Sequence, residues 1–283
     1  TRYSHLLLKI GGSMLKELYQ RVYLAPHLDD AVLSCGGQIY QDCQQGLTVL
    51  VVTVMAGDPP LGAQDGTFVS QLHARWDLEG DHNPVAVRRA EDAAALSFLG
   101  ADFVHWAWPD CIYRRHPETG AFLYALEDAL FGEVQLIEIE GELLRALSDR
   151  LAHLPLTASA SVYVPLAVGG HVDHRLVRRA AEDCAALTGK RVYYEDYPYA
   201  EKPAAVLKVL SNGDYWRAQS TPLDGKALKA KSAAVACYRS QLGTFFADED
   251  EMFSRLRRFA ASVSGGGTGA ERYWYRERPA SGF

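Results

Sequence analysis

Arg21-Val22-Tyr23-Leu24-Ala25 runs directly into Pro26-His27-Leu28-Asp29-Asp30, an apolar strand-forming run that ends in a polar cluster, and a helix-compatible stretch follows from Ala31 to about Gln44. Strand, loop and helix in that order predict an alternating α/β chain. Leu47 to Met55 (LTVLVVTVM) is almost wholly apolar or β-branched, the pattern of a central parallel strand covered on both faces. Pro84 to Leu99 reads as a helix with proline in its first turn and Gly100 at its end. Ala101 to Ala107 is a third strand, closed by Trp108-Pro109-Asp110, and Glu133 to Leu154 is an amphipathic helix. Ser159 to Leu166 is a fourth strand, from which Ala167-Val168-Gly169-Gly170 leads into a second polar cluster, His171-Val172-Asp173-His174. His174 to Leu187 returns to helical spacing, and Arg191 to Glu195 is a fifth strand.

Alternating strands and helices predict a mostly parallel sheet with helices on both faces. In strand order 3-2-1-4-5, strands one and four are neighbours at the point where the order reverses, and ligands bind there, beyond the carboxyl ends of the strands. The loops after those two strands carry the two polar clusters, so residues distant in sequence come to face one another. Two imidazoles and a carboxylate can hold Zn²⁺ and leave a position open, while a further acid or base handles protons. The pattern points to a metal-assisted hydrolase.

The rest of the chain is less regular. Ala56 to Asn83 breaks into Gly, Pro, Asp and Gln with scattered aromatics and is too long for a simple connection, so a functional loop or lid is expected. After about residue 200 the pattern suggests a hairpin around Ser211-Asn212-Gly213, helices over Leu223 to Tyr238 and Asp248 to Ala261, a flexible loop at Ser264 to Gly269 and a last strand at Arg272 to Arg276. Gly11-Gly12-Ser13 before Met14 fits a leader of residues 1–13 ahead of a single domain, 14–283.

Composition narrows the function. The 283 residues are 48% hydrophobic and 23% charged with a net charge of −6, enough apolar content for a sizeable core and the wrong sign for a surface that tracks phosphates. A small polar or neutral substrate is expected, with neither nucleic acid nor membrane as partner, and homo-oligomerisation is left open. The five cysteines are scattered with no Cys-x-x-Cys pair, which argues for reduced thiols and a cytoplasmic protein. No apolar run approaches the ~18 to 20 residues of a membrane span.

The paired motifs resemble those of the LmbE-like, or PIG-L, family of zinc-dependent N-deacetylases, whose first motif is usually written Ala-His-Pro-Asp-Asp-Glu and whose second is His-x-Asp-His, both at strand ends of a Rossmann-like sheet. The likeness extends over roughly residues 20 to 200. By position it implies His27, Asp30 and His174 as zinc ligands and Asp29 as general base. It implies that a protonated His171 stabilises the oxyanion and protonates the leaving amine, with Asp173 orienting it and raising its pKa. Arg88, in the run Arg88-x-x-Glu91, and Asp110 become candidates for binding sugar hydroxyls. The implied activity is removal of an acyl group, acetyl above all, from an amino sugar or sugar-containing metabolite. This chain departs from the motif where Leu28 stands for the usual Pro and Ala31 for the usual Glu.

Plainer roles compete with these. Asp29 or Asp30 could simply cap the helix beginning near Ala31, and His171 and His174 could be surface residues. Gly36-Gly37 does not make a dinucleotide turn, since G-x-G-x-x-G is absent and the loop is acidic. His73, His82, His105 and His116 read as solvated or core-satisfied, and Arg239 as structural. Two other functions remain open: a catalytically silent carbohydrate-binding protein, because of Ala31, and an Fe(II) enzyme with a facial triad, although those usually sit on β-barrels.

Overall fold

In a computed structural model of the chain, which describes residues 16–63, 66–78, 83–132 and 140–277, β1 (Tyr19–Ala25) lies inside a sheet. On one side it pairs in parallel with β2 (Val49–Thr53), Arg21 opposite Val49, and on the other with β4 (Leu156–Pro165), Val22 opposite Val162. Outside these lie β3 (Asp102–His105) against β2 and β5 (Arg191–Tyr194) against β4, again parallel. The expected order 3-2-1-4-5 is present, and the sheet continues. β7 (Ala270–Glu277) pairs antiparallel with β5, and β6 (Tyr215–Pro222) antiparallel with β7, giving 3-2-1-4-5-7-6.

Helices cover both faces. On one lie α1 (Asp30–Gln44), α3 (Pro84–Leu99), α8 (Gly225–Val235), α9 (Arg239–Phe245) and α10 (Glu249–Ser262), packing Val32, Leu96, Val235 and Met252 against Tyr23 and Val51. On the other lie α5 (Gly141–Leu151), α6 (Val172–Asp183) and α7 (Pro203–Leu210), packing Leu147, Leu176 and Val206 against Val22 and Val164. All of β2 is buried between them, the physical reason for its unbroken apolar sequence. A third apolar group, including Leu28, Phe68, Trp76, Ile112 and Val172, forms where the two motif-bearing loops meet the segments 56–78 and 111–130.

Several expectations need correction. The segment read as one loop from Ala56 to Asn83 contains α2 (Thr67–Arg75), which turns Phe68, Val69 and His73 inward; residues 64–65 and 79–82, with His82, lie outside the described residues. Of the helix read from Glu133 to Leu154, the described part is α5, preceded in the chain by the short α4 (Glu127–Phe131); residues 133–139 lie outside the described residues, as does the leader expected at 1–13. The turn at Ser211-Asn212-Gly213 leads into β6, which carried no apolar alternation because it is an exposed edge strand. The helix read from Leu223 to Tyr238 is α8, and α9, which starts just beyond it at Arg239, was not expected. By contrast α3 keeps its expected ends: Pro84 in the first turn, the Asn83 side chain accepting from the Ala86 N–H at 3.0 Å, and Gly100 in a left-handed cap.

Candidate metal centre

The loops after β1 and β4 meet above the reversal in strand order. Asp30 Oδ2 accepts the backbone N–H of His27 at 2.7 Å and lies 3.2 Å from His27 Nδ1 and 3.4 Å from His174 Nε2. The three residues expected to be ligands thus converge. Tetrahedral zinc with nitrogen and oxygen donors at about 2.0 to 2.2 Å requires those donors to lie roughly 3.4 Å apart, which both carboxylate–imidazole separations match. Each imidazole is held from behind by a second carboxylate. His27 Nε2 is 3.0 Å from Asp173 Oδ2, and His174 Nδ1 is 2.6 Å from Asp196 Oδ1, so the nitrogen facing Asp30 is free to ligate. Among the described residues three other sets, none with Asp30, have donors within 4.8 Å of one another: His27, His171 and His174; His27, Asp110 and Asp173; and Cys111, His171 and Asp173. The sets that use Asp173 are the poorer candidates, because both of its oxygens are engaged elsewhere.

Asp29 does not cap α1: its side chain makes no cap hydrogen bond, and its backbone sits at φ 155°, ψ −30°, outside the common regions. The Val32 and Leu33 N–H groups, donating to its carbonyl at 3.0 and 2.9 Å, help hold that conformation. Asp29 is buried beside a small apolar crevice lined by Leu33, Val235, Tyr238 and Phe246, with Arg88 Nη2 3.9 Å away. Burial, then the neighbouring Asp30 charge, raise its carboxyl to about 7 against the opposing pull of Arg88. Burial acts on Asp30 in the same direction, but His174 and His27 outweigh it and hold that carboxyl well below the usual range. Adjacent carboxylates are thereby driven apart, one toward proton transfer and one toward ligation.

His171 caps α6: its Nδ1 accepts the Asp173 N–H at 3.3 Å, which places the proton of a neutral ring on Nε2. Burial, then the charges of His27 and His174, push its pKa well below the ordinary histidine value. The Asp173 charge acts to raise the pKa of His171, as expected, but burial and the two neighbouring imidazoles outweigh it. An Asp173 oxygen lies within 4.8 Å of a His171 ring nitrogen, yet the hydrogen bonds of that carboxylate go to His27, to the Cys111 N–H at 3.0 Å and to Arg114.

Arg88 and Asp110 both reach the site. Arg88 stacks over Trp76 at 4.6 Å, and its buried Nε has no hydrogen-bond partner. Asp110 uses Oδ1 to accept from the Ile112 N–H at 3.2 Å, and its Oδ2 lies 3.8 Å from His27 Nε2. The replaced motif positions are buried and apolar: Leu28 joins the third apolar group and Ala31 the core beneath α1.

Asp196 and Phe131 were not expected from sequence as site residues. Asp196 stands two residues past the end of β5, the strand beside β4, and that placement was the available signal. Phe131 and Tyr199 set ring edges near His171 and His174, at 5.5 and 6.1 Å between centroids. The remaining described histidines are satisfied elsewhere: His73 with the Tyr113 hydroxyl at 2.8 Å, His105 with Asp92 at 2.8 Å, His116 by accepting from the Glu118 N–H at 3.2 Å, and His153 with the Asp149 carbonyl at 2.8 Å. Around Arg239, Tyr238 donates to Asp92 and Ser240 to Glu91, tying α9 to α3. All five cysteines are free.

Residues 22–185 match the family profile PIG-L, described as GlcNAc-PI de-N-acetylase. A 2'-N-acetylparomamine deacetylase from Niallia circulans is 29% identical over 267 residues, 90% of each chain. Among solved structures, a deacetylase–teicoplanin complex from teicoplanin biosynthesis superposes with a TM-score of 0.75 at 28% identity, covering 92% of this chain and 99% of that one. A zinc-inhibited form of teicoplanin deacetylase Orf2 gives 0.72 at 27% identity, with the same coverage.

Proposed function

This chain belongs to the PIG-L family, and from that membership we propose that it is a zinc-dependent N-deacetylase that removes an acetyl group from an amino sugar carried by a larger metabolite, within the cytoplasm. The observation that carries this reading is the convergence of His27, His174 and Asp30, with a carboxylate behind each imidazole. Relatives named as deacetylases of N-acetylparomamine and of teicoplanin support the substrate class.

Zn²⁺ held by His27, Asp30 and His174 would supply a Lewis acid for the amide carbonyl and lower the pKa of water to about 7. Asp29, raised to about 7, takes the proton from the attacking water. The Nε2–H of a neutral His171 donates to the oxygen that gains charge, a kind of contact commonly worth about 3 to 4 kcal/mol. Asp29 then passes its proton to the departing nitrogen, so that amide and water become acetate and free amine. Arg88, with its unpartnered Nε, and Asp110, through Oδ2, bind sugar hydroxyls beside these groups.

An α/β sheet in place of a β-barrel favours hydrolysis over the facial-triad alternative. Among the described residues no helix is long and apolar enough to cross a membrane. The test is a panel of N-acetylated sugars and glycosides, with release of primary amine followed with added Zn²⁺, with chelator, and in Asp29→Ala. Amine release should require both metal and Asp29; activity that survives chelation and the substitution overturns the mechanism, and sugar binding without amine release supports a silent binding protein.

A further inference from the structure

Behind His27 runs a buried chain of polar groups that the reaction above does not use. Arg114, just past the turn Cys111–Tyr113, donates from Nη2 to Asp173 Oδ1 and sets Nε 3.0 Å from Glu140 Oε1. The Tyr124 hydroxyl donates to the other Glu140 oxygen at 3.0 Å, and the Tyr124 ring lies 5.4 Å from the guanidinium carbon. All four side chains are buried, Asp173 completely. We propose that Arg114 is a positioning residue of the metal centre, holding the Asp173 carboxylate in the one orientation that fixes the His27 ring with Nδ1 toward the cation.

The argument is geometric. A carboxylate can rotate about its last bond, and Asp173 has three partners to serve with two oxygens. With Oδ1 fixed by the guanidinium, Oδ2 is left between the Cys111 N–H and His27 Nε2, both at 3.0 Å. His27 must then carry its proton on Nε2 and present the Nδ1 lone pair, which lies 3.2 Å from Asp30 Oδ2. A lysine would not substitute, because only a planar fork reaches Asp173 and Glu140 at once. Glu140, braced by Tyr124, keeps that fork from swinging away. The His174 ring depends on a different carboxylate, Asp196, so the effect of Arg114 falls on one ligand only.

This inference rests on the metal-centre reading, and one experiment separates their failures. Zn²⁺ dissociation constants are measured by competition with a chromophoric chelator for the wild type, Arg114→Met, Asp173→Asn and the double variant, with Co²⁺ absorption spectra as a report on ligand geometry. Arg114→Met should weaken Zn²⁺ binding about 10- to 100-fold and alter the Co²⁺ spectrum, the usual cost of losing a group that orients a ligand. Because Arg114 acts through Asp173, the double variant should bind no more weakly than Asp173→Asn alone. Wild-type affinity in Arg114→Met, or losses that multiply in the double variant, overturns the proposal and leaves Arg114 a purely structural residue. If circular dichroism shows that Arg114→Met does not fold, Arg114→Lys replaces it under the same criteria. A wild-type protein that binds no Zn²⁺ overturns the metal-centre reading itself.

Discussion

Replacing Asp196 by asparagine changes one atom in a buried side chain and should damage both metal binding and stability. Asp196 Oδ1 accepts from His174 Nδ1 at 2.6 Å, and Oδ2 accepts from the Val168 N–H at 2.8 Å. Asparagine offers one acceptor where the structure needs two. If its carbonyl faces His174, its NH₂ points at the Val168 N–H and a buried donor is left unpaired, at about 1 to 3 kcal/mol. If the amide flips, its NH₂ faces Nδ1, the His174 proton moves to Nε2, and the nitrogen that faces Asp30 can no longer ligate. Losing such an orienting partner costs about 10- to 100-fold in metal affinity, equivalent to about 1.4 to 2.7 kcal/mol of binding free energy. Chelator-competition titration with Zn²⁺ measures the first effect, and denaturant unfolding of the metal-free protein the second. An Asp196→Asn variant with both wild-type affinity and wild-type metal-free stability would refute the reasoning.

Asp29→Asn should lower kcat by about 10²- to 10⁴-fold while Zn²⁺ content stays that of the wild type; a loss under tenfold means that another group takes the proton. Metal stabilisation should grow with pH. The raised pKa of Asp29 means that its contribution to metal-free stability is fully present below the ordinary carboxylate value and is lost as pH rises through about 7. A divalent cation favours the ionised cluster, so the gain in Tm on adding Zn²⁺ should be larger at pH 8 than at pH 5.5, and a flat or opposite trend contradicts this. Gly169→Ala should cost more stability than Gly213→Ala. Both glycines have φ of +88°, a conformation that costs other residues about 1 to 2 kcal/mol. A Cβ on Gly169 would also fall 2.7 Å from the Tyr199 ring, adding an overpacking penalty of about 1 to 3 kcal/mol, whereas one on Gly213 meets nothing within 4 Å. Equal losses by thermal denaturation would show that the Tyr199 contact does not constrain the loop leading to His171.

What was legible in the sequence follows from how each residue is held. β1, β2, β4 and β5 were readable because strands covered on both faces must be apolar almost throughout. β6 (YWRAQSTP) was not, since an exposed edge strand is under no such constraint. The candidate ligands were readable because motif and topology together put them at adjacent strand ends. The groups behind them were not: Asp196 is placed by the pairing of β5 with β4, Pro165 opposite Tyr194, Arg114 comes from a stretch with no periodic pattern, and Glu140 from one whose pattern marks a helix but no partner. What Asp173 bonds to was not legible either: its carboxylate lies near the His171 ring, but its hydrogen bonds go to His27, the Cys111 N–H and Arg114, which sequence separation does not reveal.

The same first turns explain how so many carboxylates stay buried together. Asp30 opens α1 and Asp173 lies in the first turn of α6, each in the positive field of a helix N-terminus. That field favours a negative side chain by about 0.3 to 1 kcal/mol, and up to ~2 kcal/mol where it is partly buried. It does not offset the full cost of burying a charge, which takes pairing as well. Among the described residues at this site the fixed cations are Arg88 and Arg114, set against Asp29, Asp30, Asp110, Asp173 and Asp196. The excess of negative charge sits where a divalent cation would balance it. Both helices begin there because β1 and β4 are neighbours at the reversal in strand order, with their helices departing to opposite faces of the sheet. Moving either motif to another strand would therefore remove a ligand and the helix field that tolerates its neighbours in the same step.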